Sequence, residues 1–258
     1  GAHWLSDLVG GTLLGILWLL VLGIAYRRHV ARSFWMRPLA WVFYGSFVLA
    51  AAWHAPHAAD PLLAKFTAPP PTRVVAPAEW WQRDWGSLPE RRSESDVRRR
   101  WPLDVQVAGP LAPLRQALEA EGWRVQPQAD WVRTIGLLDS SRAPSKYPVL
   151  PATLDAQAEA LLMVRAGTAA SELHALRLWH APVALSDGTP LWIGTAQTLQ
   201  LGRPLNVVSL WRPAPDSHAT YALIRRDLQR FAPMEQLHPT GGMPVLRLRT
   251  GEEAELSP

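Results

Sequence analysis

With 258 residues and a formal net charge of +4, the chain has room for one large domain or two smaller ones. It contains no cysteine, which excludes disulfides and thiolate metal sites. All its cations except Lys65 and Lys146 are arginines, a bias that fits either genome composition or anionic partners such as phosphate and acidic lipid.

Two apolar blocks come first. Leu8–Ala25 carries no charge and, at about 1.5 Å per residue, would extend roughly 27 Å as a helix, close to the hydrocarbon thickness of a bilayer. Gly10, Gly11, Gly15 and Gly23 would allow close approach of other helices. Leu39–Trp53 is shorter, with Trp35, Trp41 and Trp53 near its ends, where amphipathic rings favour the interface. The two blocks predict two transmembrane helices over residues 1–55. A buried hairpin, or a dimer packed through the first block, are the other ways to cover such surfaces. Arg27, Arg28, Arg32 and Arg37 lie between the blocks, so charge bias puts that loop in the cytoplasm and both outer ends outside. A signal peptide carries its positive charge ahead of its apolar core; here Asp7 precedes and the arginines follow.

Residues 56–102 read as a linker rich in Pro, Arg and Trp. Pro69-Pro70-Pro71 favours extended backbone. Trp80, Trp81 and Trp85 suit a bilayer surface or a cap on the next domain, and the sequence does not choose between them. Arg91-Arg92 and Arg98-Arg99-Arg100 fit a solvated linker or contact with anionic head groups. An extracytoplasmic location argues against nucleic acid.

Residues 103–250 carry the pattern of a folded domain. Leu103–Val107 alternates at period 2, as a half-buried strand does. Leu111, Leu114 and Leu118 share a helical face that Gly122 ends. Trp131–Leu138 suggests a second short helix, and 140–156 a proline-marked loop. Strands are expected over Ala160–Arg165, Glu172–His180, Pro190–Gln200, Asn206–Arg212 and Val245–Arg249. Ser186-Asp187-Gly188 is a hairpin signal. Ser217 is positioned to cap a helix over His218–Phe231, and Gly251–Pro258 reads as a disordered acidic tail. The sum is an α+β fold: two transmembrane helices, then an antiparallel sheet domain with helices on one face.

Catalytic candidates are sparse. His3 and Asp7 stand four apart, so a helix starting near His3 would place them on one face, where the carboxylate can fix the imidazole tautomer and leave the other nitrogen free to attack. His174 and His180 are too far apart along one strand for zinc without further ligands. His54 and His57 suit an interface, and Arg225-Arg226-Asp227 a solvated face. Trp179, Trp192 and Trp211 suit either the core or an aromatic ligand platform. No phosphate loop, dinucleotide fingerprint or Ser-His-Asp array occurs, so no cofactor and no metal are expected.

Gly1-Ala2-His3-Trp4-Leu5-Ser6-Asp7, followed by a glycine-bearing apolar block, resembles the third motif of the type-2 phosphatidic acid phosphatase family. The resemblance covers about the first 25 residues and implies that His3 is the phosphorylated nucleophile and Asp7 its orienting acid. The substrate would be a lipid phosphate or isoprenoid pyrophosphate. The family's first motif, which supplies a Lys together with an Arg-Pro, and its Pro-Ser-Gly-His motif do not occur here, so the chain is expected to be inactive alone, its partners being membrane lipids and the missing upstream helices.

A second resemblance runs over about 100–235. Val105–Leu111, Gly122-Trp123, Leu176–Trp179 and Pro190-Leu191-Trp192-Ile193-Gly194-Thr195 are similar to the LssY C-terminal domain. That domain often follows a type-2 phosphatase unit, which implies the C-terminal part of a bacterial, multi-pass inner-membrane hydrolase with its soluble domain on the extracytoplasmic side. The rival reading is a non-catalytic, membrane-anchored binding or regulatory domain.

Overall fold

The computed structural model describes residues 5–29, 41–54, 73–93, 101–127, 143–155, 157–203 and 209–251. The chain divides into two units, Gly1–Thr67 and Ala68–Pro258.

The first unit holds α1 (Leu5–His29) and α2 (41–54). Its apolar side chains face outward all round: Leu13, Trp18 and Ile24 on α1 and Trp41, Phe47 and Leu49 on α2 are each more than half exposed. The expectation of two transmembrane helices is corrected here. Among the described residues no helix is long and apolar enough to cross a membrane.

The second unit is built on an eight-stranded sheet. In chain order its strands are β2 (Val105–Ala108), β3 (Arg124–Val125), β6 (Leu161–Ala166), β7 (Glu172–His180), β9 (Leu191–Gly202), β10 (Leu210–Pro213), β11 (Met234–Leu237) and β12 (Pro244–Arg249). The spatial order is β11-β12-β2-β9-β7-β6-β3, with β10 also paired to β9. Two small sheets flank it: β1 (Arg73–Val75) beside β8 (Val183–Leu185), and β4 (Thr153–Leu154) beside β5 (Gln157–Ala158).

The expected antiparallel sheet is corrected to a mixed one. β12 runs parallel to β2, with Leu246 opposite Val105, and β1 runs parallel to β8. β2 and β12 come from the two ends of the domain, so no hairpin fixes their direction.

Helices on one face is corrected as well, because both faces of the sheet are covered. On one, α4 (Leu111–Ala120) and α5 (His218–Asp227) bury Leu114, Leu118, Tyr221 and Ile224 against Val107, Met163, Leu176 and Leu246. On the other, α3 (Pro77–Gln82) and the 3-10 turn Asp84–Ser87 bring Trp80 and Trp85 onto Trp179, Ile193 and Val245. These covering elements lie in the stretch read from sequence as linker. Pro77 at the first helical position and Glu79 in the first turn favour a helix start there.

The 143–155 segment covers the rest of that face and is pinned by long side chains of the sheet. Trp179 Nε1 donates to the Ala152 carbonyl at 3.2 Å, Trp211 Nε1 to Tyr147 at 3.1 Å, and Arg177 Nη2 to Leu150 at 3.1 Å. Arg177 also donates to buried Glu159 at 2.6 Å. The expected helix over Trp131–Leu138 lies outside the described residues.

Gly194 sits on β9 where Leu178 crosses it. A Cβ there would run into the Arg177 carbonyl oxygen and the Leu178 side chain. Gly194→Ala is expected to lower stability by about 3 kcal/mol through overpacking of the central strand, read as a drop in the denaturant midpoint; an unchanged midpoint would mean that the strands part easily.

Candidate functional site

His3 lies outside the described residues, and Asp7 is described only as backbone in the first turn of α1. His54 is exposed at the end of α2, and His57 lies outside the described residues.

The structure spends most of the other flagged side chains on packing. Trp179, Trp192 and Trp211 are buried, and the Trp192 indole donates to the Gly109 carbonyl at 2.8 Å, so the three are core rather than an open platform. His174 Nδ1 lies 2.7 Å from Thr220 Oγ1, and burial pushes its pKa down, with Glu172 opposing. His180 points outward beside Trp192. Among the described residues no group of three or more His, Cys, Asp or Glu could hold a metal ion. Arg225 pairs with Glu235 at 2.6 Å. Asp227 is a buried hub that accepts from Trp123 Nε1 and Arg165 Nη1, each at 2.8 Å, and from Arg226.

Two residues that sequence reasoning used only as fold markers form the more informative site. A pocket of about 290 Å³ opens where β2 and β12 begin and α5 starts, lined by Asp104, Asp216, Ser217, His218 and Tyr221 among others. Asp104 sits just before β2 and is 5% exposed. Its Oδ1 accepts the Ala196 N–H at 2.8 Å. Burial pushes its carboxyl up to about 8, because the charged form is desolvated; backbone N–H groups pull the other way without prevailing. Tyr221 is 8% exposed, and its hydroxyl is buried without a hydrogen-bond partner among the described residues. Burial, then the nearby Glu235 and Asp104, push its phenol upward.

The α5 start holds the rim. Ser217 does not cap the helix with its side chain. Its Oγ accepts the Thr198 N–H at 3.1 Å, while Asp216 Oδ1 accepts the His218 N–H at 2.8 Å. Nothing in the sequence marked this site, because Asp104 falls on the polar side of the period-2 pattern.

A second hollow, of about 320 Å³, lies at the other ends of β2 and β12, between Trp80, Gly109, Asp187 and Arg249. The Arg249 guanidinium stacks on Trp81, 4.4 Å from the ring centre.

The second unit is thus a mixed-sheet domain, closed on both faces, with a small acidic pocket at one end of its parallel strand pair. Residues 85–201 of the chain match the family model described as LssY C-terminus, so an LssY C-terminal domain is present there. No curated protein and no solved structure matched the chain.

Proposed function

We propose that the second unit is a non-catalytic binding module of a membrane-associated phosphatase. The chemistry would fall to His3 and Asp7, completed by a phosphate clamp that this sequence does not itself carry. The observation that supports this is how the unit uses its reactive side chains. Asp227, Glu159 and His238 are each held by internal partners. Among the described residues, no hydroxyl of the acidic pocket is hydrogen-bonded to a histidine, and no Lys or Arg lines it. Phosphoryl transfer depends on preplaced cations around the developing charge, and the pocket offers the opposite sign.

The first unit supports association with a membrane or with further helices. A helix that is apolar all round needs a covering on every side, and α1 and α2 expose Leu, Ile, Trp and Phe side chains broadly. In this reading the chain resides at the inner membrane, and the module faces the extracytoplasmic side.

The test is an assay of the purified chain in detergent with p-nitrophenyl phosphate and with phosphatidic acid. No turnover above that of the His3→Ala variant is expected. Turnover that His3→Ala abolishes would establish a self-sufficient enzyme and overturn the reading.

A further inference from the structure

We infer that the pocket at the start of α5 binds a primary ammonium group on a short apolar stem, held by the carboxyls of Asp104 and Asp216 and by the Tyr221 hydroxyl. The inference rests on the second unit being a binding module and names the chemistry of its ligand.

Charge and geometry lead to it. Among the described residues, two carboxyls line the pocket and no Lys or Arg does. Asp104 forms its deep end and Asp216 its exposed rim. The Tyr221 hydroxyl, buried and without a partner among the described residues, is an independent sign of a missing group, since leaving it so costs about 1–3 kcal/mol that a ligand would recover. An ammonium has three N–H donors and no acceptor, which matches three oxygen-bearing side chains. Pro102, Pro215, Met243 and Pro244 supply an apolar wall for the stem. A volume of about 290 Å³ suits a small ligand rather than a large one.

The neighbouring charges are consistent with that. His218, on the same rim, has its ring nitrogen 3.9 Å from Asp216. Behind Tyr221, Arg225 is neutralised by Glu235 at 2.6 Å. Asp104 is held mostly protonated by burial near neutral pH. An arriving cation favours its ionised form, so the Asp104 proton leaves to solvent as the ammonium binds.

The full chain in detergent is titrated with propylammonium chloride, followed by the Tyr221 and Ala196 resonances and by calorimetry. Saturable binding near about 1 mM is expected, with release of up to about one proton at pH 7, read from the heats in two buffers of different ionisation enthalpy. Propanol and tetramethylammonium, which lack the charge or the donors, should bind at least about tenfold more weakly. Asp104→Asn keeps the acceptor for Ala196 and should also weaken propylammonium about tenfold or more. If that variant does not fold, Tyr221→Phe replaces it, with a loss of several-fold.

Vesicles of phosphatidylethanolamine and of phosphatidylcholine separate the sources. A Tyr221 shift with the first alone marks a lipid headgroup; propylammonium binding without it marks a free amine, and either upholds the site. Propanol binding as tightly as propylammonium, or unaltered binding by both variants, would overturn it. Histidine-dependent turnover would overturn the module reading instead and leave amine binding standing.

Discussion

Arg247→Ala is expected to cost about 3–5 kcal/mol of folding stability and to loosen the tryptophan cap from its face of the sheet. Arg247 lies on β12 with no exposed surface. Its guanidinium is within 5.1 Å of the ring centres of Trp80, Trp81 and Trp85. Nη2 donates to the Trp81 carbonyl at 2.5 Å and the Trp80 carbonyl at 3.3 Å, and Nη1 to the Gln236 side-chain oxygen. Those two carbonyls belong to the last turn of α3, where no intrahelical donor reaches and the helix dipole is negative. The cation therefore caps the helix that covers the sheet.

Burial, with Arg249 adding, lowers the Arg247 guanidinium to about 10, so it remains charged at neutral pH. Alanine would leave the carbonyls and Gln236 without their donor and open a cavity between three indoles. Arg247→Met refills most of the cavity but not the hydrogen bonds. It should recover part of the loss and retain a deficit of about 1–3 kcal/mol. Denaturant unfolding gives the totals, and hydrogen exchange at Val75, Trp80 and Leu88 locates the loss. If Met restores full stability, the rings need only volume there, and the capping argument fails.

That clasp was not legible in the sequence, although its pieces were. Trp80, Trp81 and Trp85 suit a bilayer surface and a buried cap equally, because an indole has an apolar body and one donor. Only the pairing of β12 with β2 brings Arg247 under them, and strands so far apart in the chain carry no local mark of their partners. The strands with local signals were easier. β7 runs over Glu172–His180, as its pattern predicts, and the Asp187-Gly188 turn is sharp because Gly188 has φ +79 and Asp187 accepts the Thr189 N–H. Ser217 does not act as the cap its position suggests, because its neighbour Asp216 supplies the acceptor at the helix start.

The two apolar blocks were legible as helices, and α1 and α2 occupy them; their length as spans was not. Asp104 and Gln106 looked like the wet face of a half-buried strand. Gln106 is buried because the same tryptophans cover it, its Nε2 donating to the Trp85 carbonyl, and Asp104 is buried where α5 starts, beside Tyr221; both are long-range facts that a period-2 pattern cannot encode.

Asp104 gives the other large effect, one that depends on pH. Its carboxyl has an ordinary value of 3.8 and is raised by burial to about 8 in the folded chain. A group raised on folding contributes stability that is fully present below about 3.8 and is lost as pH rises through about 8. Between those limits the folded state holds a proton that the unfolded chain has given up. Stability should therefore fall by up to roughly 1.4 kcal/mol per pH unit from this group alone.

Asp104→Asn isolates that contribution. Its side-chain oxygen can still accept the Ala196 N–H, which is made at 2.8 Å in the native chain, and it does not titrate. The variant is expected to match the native chain near pH 4 and to exceed it by several kcal/mol at pH 8 to 9. The gap should widen steadily in between and level off above. Denaturant midpoints at four or five pH values, native against variant, give the difference directly and cancel the other titrating groups. Parallel profiles would mean that water reaches the carboxyl freely and that it ionises like a surface acid. A gap that opens only below pH 5 would mean that the folded chain favours the carboxylate, the reverse of what burial at the start of α5 dictates.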